Sequence, residues 1–484
     1  MSGLPIENAA AYDAVIVGNG ALGLSLGLAL ARQGVKTAVV GEAARPFAAS
    51  AAAGAMNGCF GEATPGLLQS RYGRAKLAMD VRATNLWTEW EQGIVEESDE
   101  TSLRSANGTV VILNTIGVPE IDSAGYASIR AALDEYHEPY EDLDPEELDW
   151  LDPDPVSRPL KAMFIPNEHA MNTQALLRGL TTAFTRAHGT LIDARVTDVR
   201  IKGDRAEGVV LSTGEILHTP SVVLAAGAAS HDLLGSLPQD IRERIPGMVS
   251  GYGVALLIET VDHKVPDSVI RTPNRAFACG LHAVPRENGR IYLGATNNIS
   301  PELRDTPAID DLNLLLGCTR QLRKDLVDAR VDKIYVGNRP VPLDGFPLLG
   351  QAGVEGLWLM TGTYRDGLHQ SPLLAKDFAA RLTGKPHDAE LDIFTPLRAP
   401  IQAMTREECL EAAVQHTLAL GYEHDWGIPV DWPPVIEDQL RRLYTEALDE
   451  FDPAFTPPPE LLASASPEIN EALHTYYRAY GERS

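Results

Sequence analysis

Gly18-Asn19-Gly20-Ala21-Leu22-Gly23 is the stretch that decides how this chain begins to fold. It follows residues 13–17 (Asp-Ala-Val-Ile-Val), which read as a buried strand, and it precedes an apolar segment running to about Gln33 that reads as a helix ended by Gly34. Residues 36–40 then read as a second strand, completing a β-α-β unit. In such a unit Gly18 permits the tight turn, Gly20 lets the backbone approach a pyrophosphate, and Gly23 lets helix and strand pack closely. The start of the helix, at Ala21 and Leu22, offers unpaired N–H groups and a positive dipole end to phosphates. Glu42 closes the second strand about twenty residues past the third glycine, where a carboxylate accepts hydrogen bonds from a ribose. The unit alone does not choose between NAD and FAD. Its place near the N-terminus, with a second dinucleotide-type strand far downstream (residues 222–225, then Ala226-Gly227-Ala228), suits FAD.

Outward from this unit, composition narrows the class. The chain has 484 residues, 44% hydrophobic and 22% charged, which is ordinary globular composition. Two folding units are expected, because single cores stop growing at roughly 250–300 residues. A formal net charge of -26 repels phosphate backbones and argues against a nucleic-acid partner. Cys59, Cys279, Cys318 and Cys409 form no C-x-x-C pair, and the histidines show no H-x-x-x-H spacing, so neither a metal site nor a disulfide framework is indicated. Residues 1–13 lack Lys, Arg and a long apolar region, unlike a secretory signal. The uncharged run 14–31 is split by Gly18-Asn19-Gly20 and is too broken to span a membrane. A cytoplasmic, reducing setting without a membrane partner is the expectation.

Further along, residues 136–155 are dense in Asp, Glu and Pro and read as a solvated connection. Residues 173–188 read as a helix, and 195–201, 205–211 and 215–218 as a strand meander. Strand signals return at 221–225, 253–259, 277–284 and 290–296, and 308–326 reads as a helix. Beyond about 395, Thr405-x-x-Glu408 is a capping box opening a helix to about Leu420. A second helix is expected over 435–450, Pro457-Pro458-Pro459 as a stiff linker, and a last amphipathic helix after Ser466-Pro467 with Ile469, Leu473 and Tyr477 on one face. The aromatic residues of this tail, Trp426, Trp432, Phe451, Phe455, Tyr476 and Tyr477, call for burial on the body or on a second subunit; a lid over the substrate is the sharper alternative.

Several further segments carry a family resemblance. These are Ser50-Ala51-Ala52-Ala53-Gly54, Arg195-Val196, Ala225-Ala226-Gly227, Val284-Pro285-Arg286 with Gly294-Ala295-Thr296, Asn338-Arg339-Pro340 with Asp344-Gly345-Phe346-Pro347, and Gly362-Thr363-Tyr364-Arg365-Asp366-Gly367-Leu368. In this order they resemble the D-amino-acid oxidase-like FAD oxidoreductases, and most closely the glycine oxidase and sarcosine oxidase branch, over residues 13 to about 386. The resemblance implies an α/β (α+β overall) architecture: a Rossmann-type FAD-binding domain (1–85, 165–245, 335–394) and a mainly antiparallel β-sheet substrate domain (86–164, 246–334). A helical C-terminal extension (395–484) lies outside it. It further implies that Ser50, Ala51 and Ala52 pack along the FAD, that Val196 meets the adenine, that Ala226 and Gly227 form the alanine-glycine turn, and that Gly362, Tyr364, Arg365, Asp366, Gly367 and Leu368 face the flavin pyrimidine. Where covalent branches carry a linking His or Cys this chain has Ala and Thr/Tyr, so FAD held without a covalent bond is implied. Asp366 and His369-Gln370 depart from the family pattern.

The implied reaction is hydride loss from an amine-bearing carbon to flavin N5. In that scheme Arg339 pairs with a substrate carboxylate, since a guanidinium fork fixes orientation as well as charge. Arg365 either binds substrate or supports the flavin carbonyl region, and Tyr252 is a substrate-facing aromatic or a core tyrosine. His282 and Tyr364 are further candidates, and Cys59 and Met56 are expected to pack. Competing readings remain an oxidase that releases peroxide, a dehydrogenase of an amino acid or 2-hydroxy acid that passes electrons to a carrier, and a non-catalytic flavin-binding partner subunit. A homodimer is possible on this reading.

Overall fold

The computed structural model describes residues 11–481. Most of the N-terminal stretch discussed above, and the start of the 1–85 segment, lie outside the described residues.

The opening unit forms as its sequence dictates. Ala14–Val17 and Thr37–Val40 are fully buried parallel strands joined by the helix Ala21–Ala31. That helix is apolar all round because it lies in the interior. Six strands form the sheet, in the order Leu348–Gln351, Leu357–Thr361, Val222–Leu224, Ala14–Val17, Thr37–Val40, Thr190–Ile192. All neighbours are parallel except the first pair. On one face pack the helices Ala21–Ala31, Arg71–Glu97, Thr173–Arg186 and Gly367–Leu382, sharing one apolar cluster around Leu24, Trp87, Phe184 and Phe378. On the other face lies the antiparallel meander Val196–Lys202, Arg205–Leu211, Ile216–His218.

The second sheet is larger and mostly antiparallel. Its strands run Asn298–Ser300, Met248–Glu259, Arg290–Gly294, His282–Arg286, Val269–Arg271, Arg104–Asn114, Pro159–Met171, Met56–Asn57. Arg330–Pro342 pairs along the free side of Met248–Glu259. The helix Ile309–Cys318 covers one of its faces, and the helix Ala124–Glu135 packs near Met163 and Val111 on the other.

Several expected boundaries shift. Position 85 falls inside the unbroken helix Arg71–Glu97, 165 inside the strand Pro159–Met171, and 335 inside the strand Arg330–Pro342 of the large sheet, so the chain crosses between the two sheets on continuous elements. Residues 136–155 are more than a solvated connection, since Glu141–Leu143 pairs with Pro159–Met171. The helix expected over 308–326 stops at Cys318. Beyond it Asp152 donates to the Leu322 carbonyl and accepts from the Lys324 amide, at 2.9 and 2.8 Å, bonds that a continuing helix would need for itself. The strand expected from 277 begins only at His282, because Ala276 and Phe277 adopt left-handed φ of 48° and 60°. Such values cost a non-glycine residue roughly 1–2 kcal/mol.

The extension is packed, not loose. Thr405 and Glu408 form the expected reciprocal cap of the helix Arg406–Glu423. Pro459 opens the short helix Pro459–Ala463, whose Leu461 is buried with Val249, Val341 and the helix Pro467–Gly481. Phe451, Tyr476 and Tyr477 are buried on the body, whereas Trp426 and Trp432 stay more than half exposed. Among the described residues no helix is long and apolar enough to cross a membrane.

Candidate active site

The nucleotide end is shaped by close backbone contacts. A Cβ on Gly23 would lie 1.8 Å from the Gly18 carbonyl oxygen, and one on Gly18 (φ +117°) would lie 2.4 Å from that of Ala225. The turn Ala225-Ala226 thus rests directly on the first glycine, bringing the downstream strand to the fingerprint. No side chain caps the helix at Gly20, and its first turn holds no acidic residue. The Ala21 amide donates to Ser50 Oγ at 3.1 Å, which ties the small-residue segment to the helix start. Asn19 Nδ2 donates to the Glu42 carbonyl at 2.9 Å, and the Glu42 carboxylate stands exposed at the strand end. Val196 opens the meander opposite Leu211. Gly227 has open space where a Cβ would stand, and its carbonyl accepts from Thr361 Oγ1 at 3.1 Å. A helix start without a capping side chain or an acidic residue in its first turn, set among small residues, fits a pyrophosphate.

The small-residue segment is also the seam with the large sheet. Tyr292 Oη donates to the Ala52 carbonyl at 2.8 Å, and Arg286 Nη2 to that of Gly54 at 2.9 Å. The Asn338 amide donates to the Phe47 carbonyl at 3.3 Å. A Cβ on Gly337 would lie 2.8 Å from that of Ala52. Residues 50–54 therefore run beneath the strand that carries Arg339.

Strand alternation decides which side chains meet there. Arg339 pairs with Gly251, and Asn338 with Tyr252. The guanidinium lies over Gly251 and Gly253; a Cβ on Gly253 would collide with Nη1 at 2.3 Å. Nη1 donates to Asn297 Oδ1 at 2.9 Å and to the carbonyls of Thr296 and Gly251 at 3.2 and 3.3 Å. These acceptors hold the fork without neutralising it. Asn297 Nδ2 in turn donates to Tyr364 Oη at 2.6 Å and to the Phe277 carbonyl at 2.8 Å. Tyr252 points the other way: it is buried with Leu256, Leu293 and Leu315, with Arg304 5.2 Å over its ring. The substrate-facing placement of Tyr252 is thus corrected, because one residue of register moves a side chain to the opposite face.

Arg365 follows Tyr364, whose φ of 51° turns the loop. Its guanidinium lies 5.0 Å from the Tyr364 ring centroid and 4.0 Å from Cys279 Sγ. Burial works to raise the Glu62 carboxyl, but Arg271 and Arg365 overcome it and hold it at about 2. Arg271 donates to Glu62 at 2.7 Å and to Asn274 at 2.6 Å. Three guanidiniums gather at this end, with the Glu62 and Glu168 carboxylates within electrostatic reach of Arg271. Left-handed φ at Ala55, Ala276, Phe277 and Tyr364 concentrates backbone strain around it, a pattern common where side chains are held for function.

The polar departures in the last loop have a structural explanation. Asp366 and Asp80 both pair with Lys76, the latter at 3.1 Å. Burial works against the Lys76 charge, but the two carboxylates outweigh it. Gln370 Nε2 donates to Asp80 at 2.6 Å, and His369 sits 2.7 Å from Asn57 Oδ1. These residues bind the loop to the helix Arg71–Glu97, and the Asp366 side chain is committed to its ion pair with Lys76. Gly367 stands where a Cβ would meet Thr363 and Leu22, placing Leu22 beside the loop. His282 is buried, stacks on Tyr292 and is pushed down to about 3 by burial and then by Arg271. Cys59 and its neighbours pack, as expected, in a cluster with Phe60 and Leu77.

Three residues at this end carried no sequence signal that singled them out. Asn297 directly follows the Gly294-Ala295-Thr296 signature. His416 and Glu460 come from the extension: His416 stacks on Phe277 at 4.3 Å, and the half-buried Glu460 lies within electrostatic reach of Arg365 and Tyr364.

A dinucleotide cradle, a second strand-and-turn beneath it and a mostly antiparallel sheet carrying basic residues above define a flavoprotein oxidoreductase. Residues 13–381 match the family described as FAD dependent oxidoreductase, and the chain belongs to that family, with FAD as its cofactor. The chain is 27% identical over 397 residues to the Bifunctional protein ThiO/ThiG of Nostoc sp., covering 81% of this chain and 56% of that protein. It is 28% identical over 372 residues to the glycine oxidase of Geobacillus kaustophilus, covering 75% and 90%. The chain spans about half the length of several curated relatives it matches. The fold resembles the crystal structure of the Geobacillus kaustophilus glycine oxidase, with TM-score 0.68 and 22% identity over 81% of this chain and 99% of that one. It also resembles the iminodiacetate oxidase of Chelativorans sp. BNC1, with TM-score 0.66 and 19% identity over 80% and 100%.

Proposed function

We propose that this protein oxidises a small amine or amino acid at the amine-bearing carbon, with Arg339 as the group that binds the substrate carboxylate. The observation that carries this reading is the Arg339 guanidinium, held by Asn297 and two carbonyls and, among the described residues, not claimed by an acidic side chain. When bound, FAD would supply the hydride acceptor, and its reoxidation by oxygen with release of peroxide is the chemistry expected of it. The protein's part is to orient the C–H and to exclude competing geometries. Arg365 adds positive charge where reduction builds negative charge. Gly18, Gly20, Ala21, Leu22, Gly23 and Glu42 bind the adenosine and pyrophosphate end in this reading. Ser50, Ala51, Ala52, Val196, Ala226, Gly227, Gly362 and Tyr364 line the remaining length, without a covalent link. Four unpaired, buried thiols fit a reducing cytoplasm, and the exposed Trp426, Val430, Trp432 and Val435 offer a face for a homodimer.

The test is an anaerobic flavin-bleaching screen against amino acids, N-methyl amino acids and 2-hydroxy acids, followed by readmission of air and a peroxide assay. Bleaching by an amino acid with stoichiometric peroxide is the expected result. Bleaching without peroxide identifies a dehydrogenase that uses a carrier. For the substrate so found, Arg339→Met is expected to cut kcat/KM by roughly 10- to 100-fold, because a hydrogen bond to a charged group contributes about 1.5–3 kcal/mol. Unchanged kinetics refute the assignment of Arg339.

A further inference from the structure

The family match ends at residue 381, yet one residue of the helix Arg406–Glu423 is linked to Arg339 by an unbroken chain of contacts. We propose that His416 is a positioning residue for Arg339, acting through the Phe277 loop and Asn297, so that the C-terminal extension is part of the substrate site. The proposal rests on the reading of Arg339 as the carboxylate-binding group.

Each link is direct. The Phe277 amide donates to His416 Nδ1 at 3.3 Å, and the two rings stack at 4.3 Å with 25° between their planes. The Phe277 carbonyl accepts from Asn297 Nδ2 at 2.8 Å and from Tyr364 Oη at 3.3 Å. Asn297 Oδ1 accepts from Arg339 Nη1 at 2.9 Å. With its Nδ2 spent on Phe277 and Tyr364, the Asn297 amide has its oxygen aimed at the guanidinium.

The Phe277 loop needs this support. Ala276 and Phe277 are consecutive non-glycine residues with left-handed φ, a conformation that persists only where surrounding contacts hold it. The loop borders a cavity of about 190 Å³ lined by Phe277, Asn297, Thr296, His416, Leu420 and Tyr444, so part of its surface meets no packed core. His416 supplies the backing as a neutral ring: burial, then Arg365, push it down to about 3, leaving Nδ1 free to accept. The helix itself is fixed. Glu423 lies 3.5 Å from the fully buried Arg275, which also pairs with Asp122 at 2.7 Å, and Leu418 and Ala419 pack on Val118.

The experiment uses the full-length, FAD-loaded protein and titrates two probes, glycolate as a carboxylate and glycolamide as its uncharged counterpart, by flavin absorbance and by calorimetry. His416→Ala is expected to weaken glycolate about tenfold, the scale of one lost hydrogen bond plus its stacking contact. Glycolamide affinity and FAD content are expected to change less than twofold. His416→Asn, which keeps an acceptor, is expected to restore part of the loss. The double variant His416→Ala/Asn297→Ala is expected to bind glycolate no more weakly than Asn297→Ala alone, since both act in one chain. Equal losses for the two probes assign His416 a merely structural role and overturn the proposal. Unchanged glycolate binding in His416→Ala overturns it while leaving Arg339 standing, provided Arg339→Met weakens glycolate. If Arg339→Met binds glycolate normally, or the unaltered protein binds none, the reading of Arg339 falls first and this proposal with it. Should His416→Ala fail to fold, Phe277→Leu, which keeps the amide and removes the stack, is expected to show the same carboxylate-selective loss, and equal losses there overturn the proposal.

Discussion

Replacing Arg398 by methionine tests whether the extension is integral to the fold. Arg398 stands where the body ends, and it is buried against Asp344 of the motif that follows Arg339. Its Nε and Nη2 each donate to the Asp344 carboxylate at 2.8 Å, a two-point pairing. The same guanidinium donates to the carbonyls of Phe346 (2.8 Å), Pro347 (2.6 Å), Phe394 (3.0 Å) and Thr395 (3.1 Å). Tyr476, from the last helix, donates to the Arg398 carbonyl at 3.0 Å. Arg398→Met removes the cation and leaves Asp344 buried with only weak donors. Breaking one side of a buried pair costs about 3–5 kcal/mol, a large share of the roughly 5–15 kcal/mol that holds a domain together. Removing both partners, as in Asp344→Leu/Arg398→Met, leaves no stranded charge and is expected to cost well under the sum of the single changes. Urea unfolding of the FAD-loaded protein, followed by circular dichroism and flavin fluorescence, measures all three. A loss below about 1 kcal/mol for Arg398→Met, or additivity in the double variant, refutes the argument that this pair fastens the extension.

Gly23→Ala is expected to yield folded protein that purifies without flavin, read from the absorbance ratio at the flavin and protein bands, because its Cβ would fall 1.8 Å from the Gly18 carbonyl oxygen and push helix and turn apart. Glu62→Gln tests the charge cluster through pH. The Glu62 carboxyl is held at about 2 against an ordinary 4.5, so the unfolded chain takes up its proton first as pH falls. The stability Glu62 contributes is therefore complete above about 4.5 and lost between there and about 2. The difference in unfolding free energy between the unaltered protein and Glu62→Gln should be largest near neutral pH and shrink across that window; a pH-independent difference refutes the ion-pair account.

How much was legible in the sequence depended on the range of the interactions. The strand, glycines, helix and second strand between Asp13 and Val40 announce themselves because every contact that selects them is local. The same is true of the Thr405/Glu408 cap. Arg330–Pro342 gave no strand signal, since Pro340 and Pro342 lack amide donors and its outer half is polar or exposed. It is a strand only because it lies at a sheet edge, where prolines are tolerated. The long helix Arg71–Glu97 is likewise fixed by what it covers: Met79, Ala83 and Trp87 meet the nucleotide helix cluster, and Trp87 Nε1 donates to the His369 carbonyl at 2.7 Å. The two readings of Tyr252, substrate-facing or core, differ by one position of register, which local pattern cannot resolve beside two glycines.

The same distinction explains the polar residues of the last loop. Asp366, His369 and Gln370 depart from the family pattern, a departure that on sequence alone leaves the substrate open. Their partners Lys76 and Asp80 lie nearly three hundred residues earlier, on a helix the sequence did not reveal. Once that helix is in place Asp366, His369 and Gln370 have partners within the protein and need none from a ligand. On the proposed role of His416, whatever sets this protein's substrate apart is therefore better sought at His416 and Glu460 of the extension than where its last loop departs from the family.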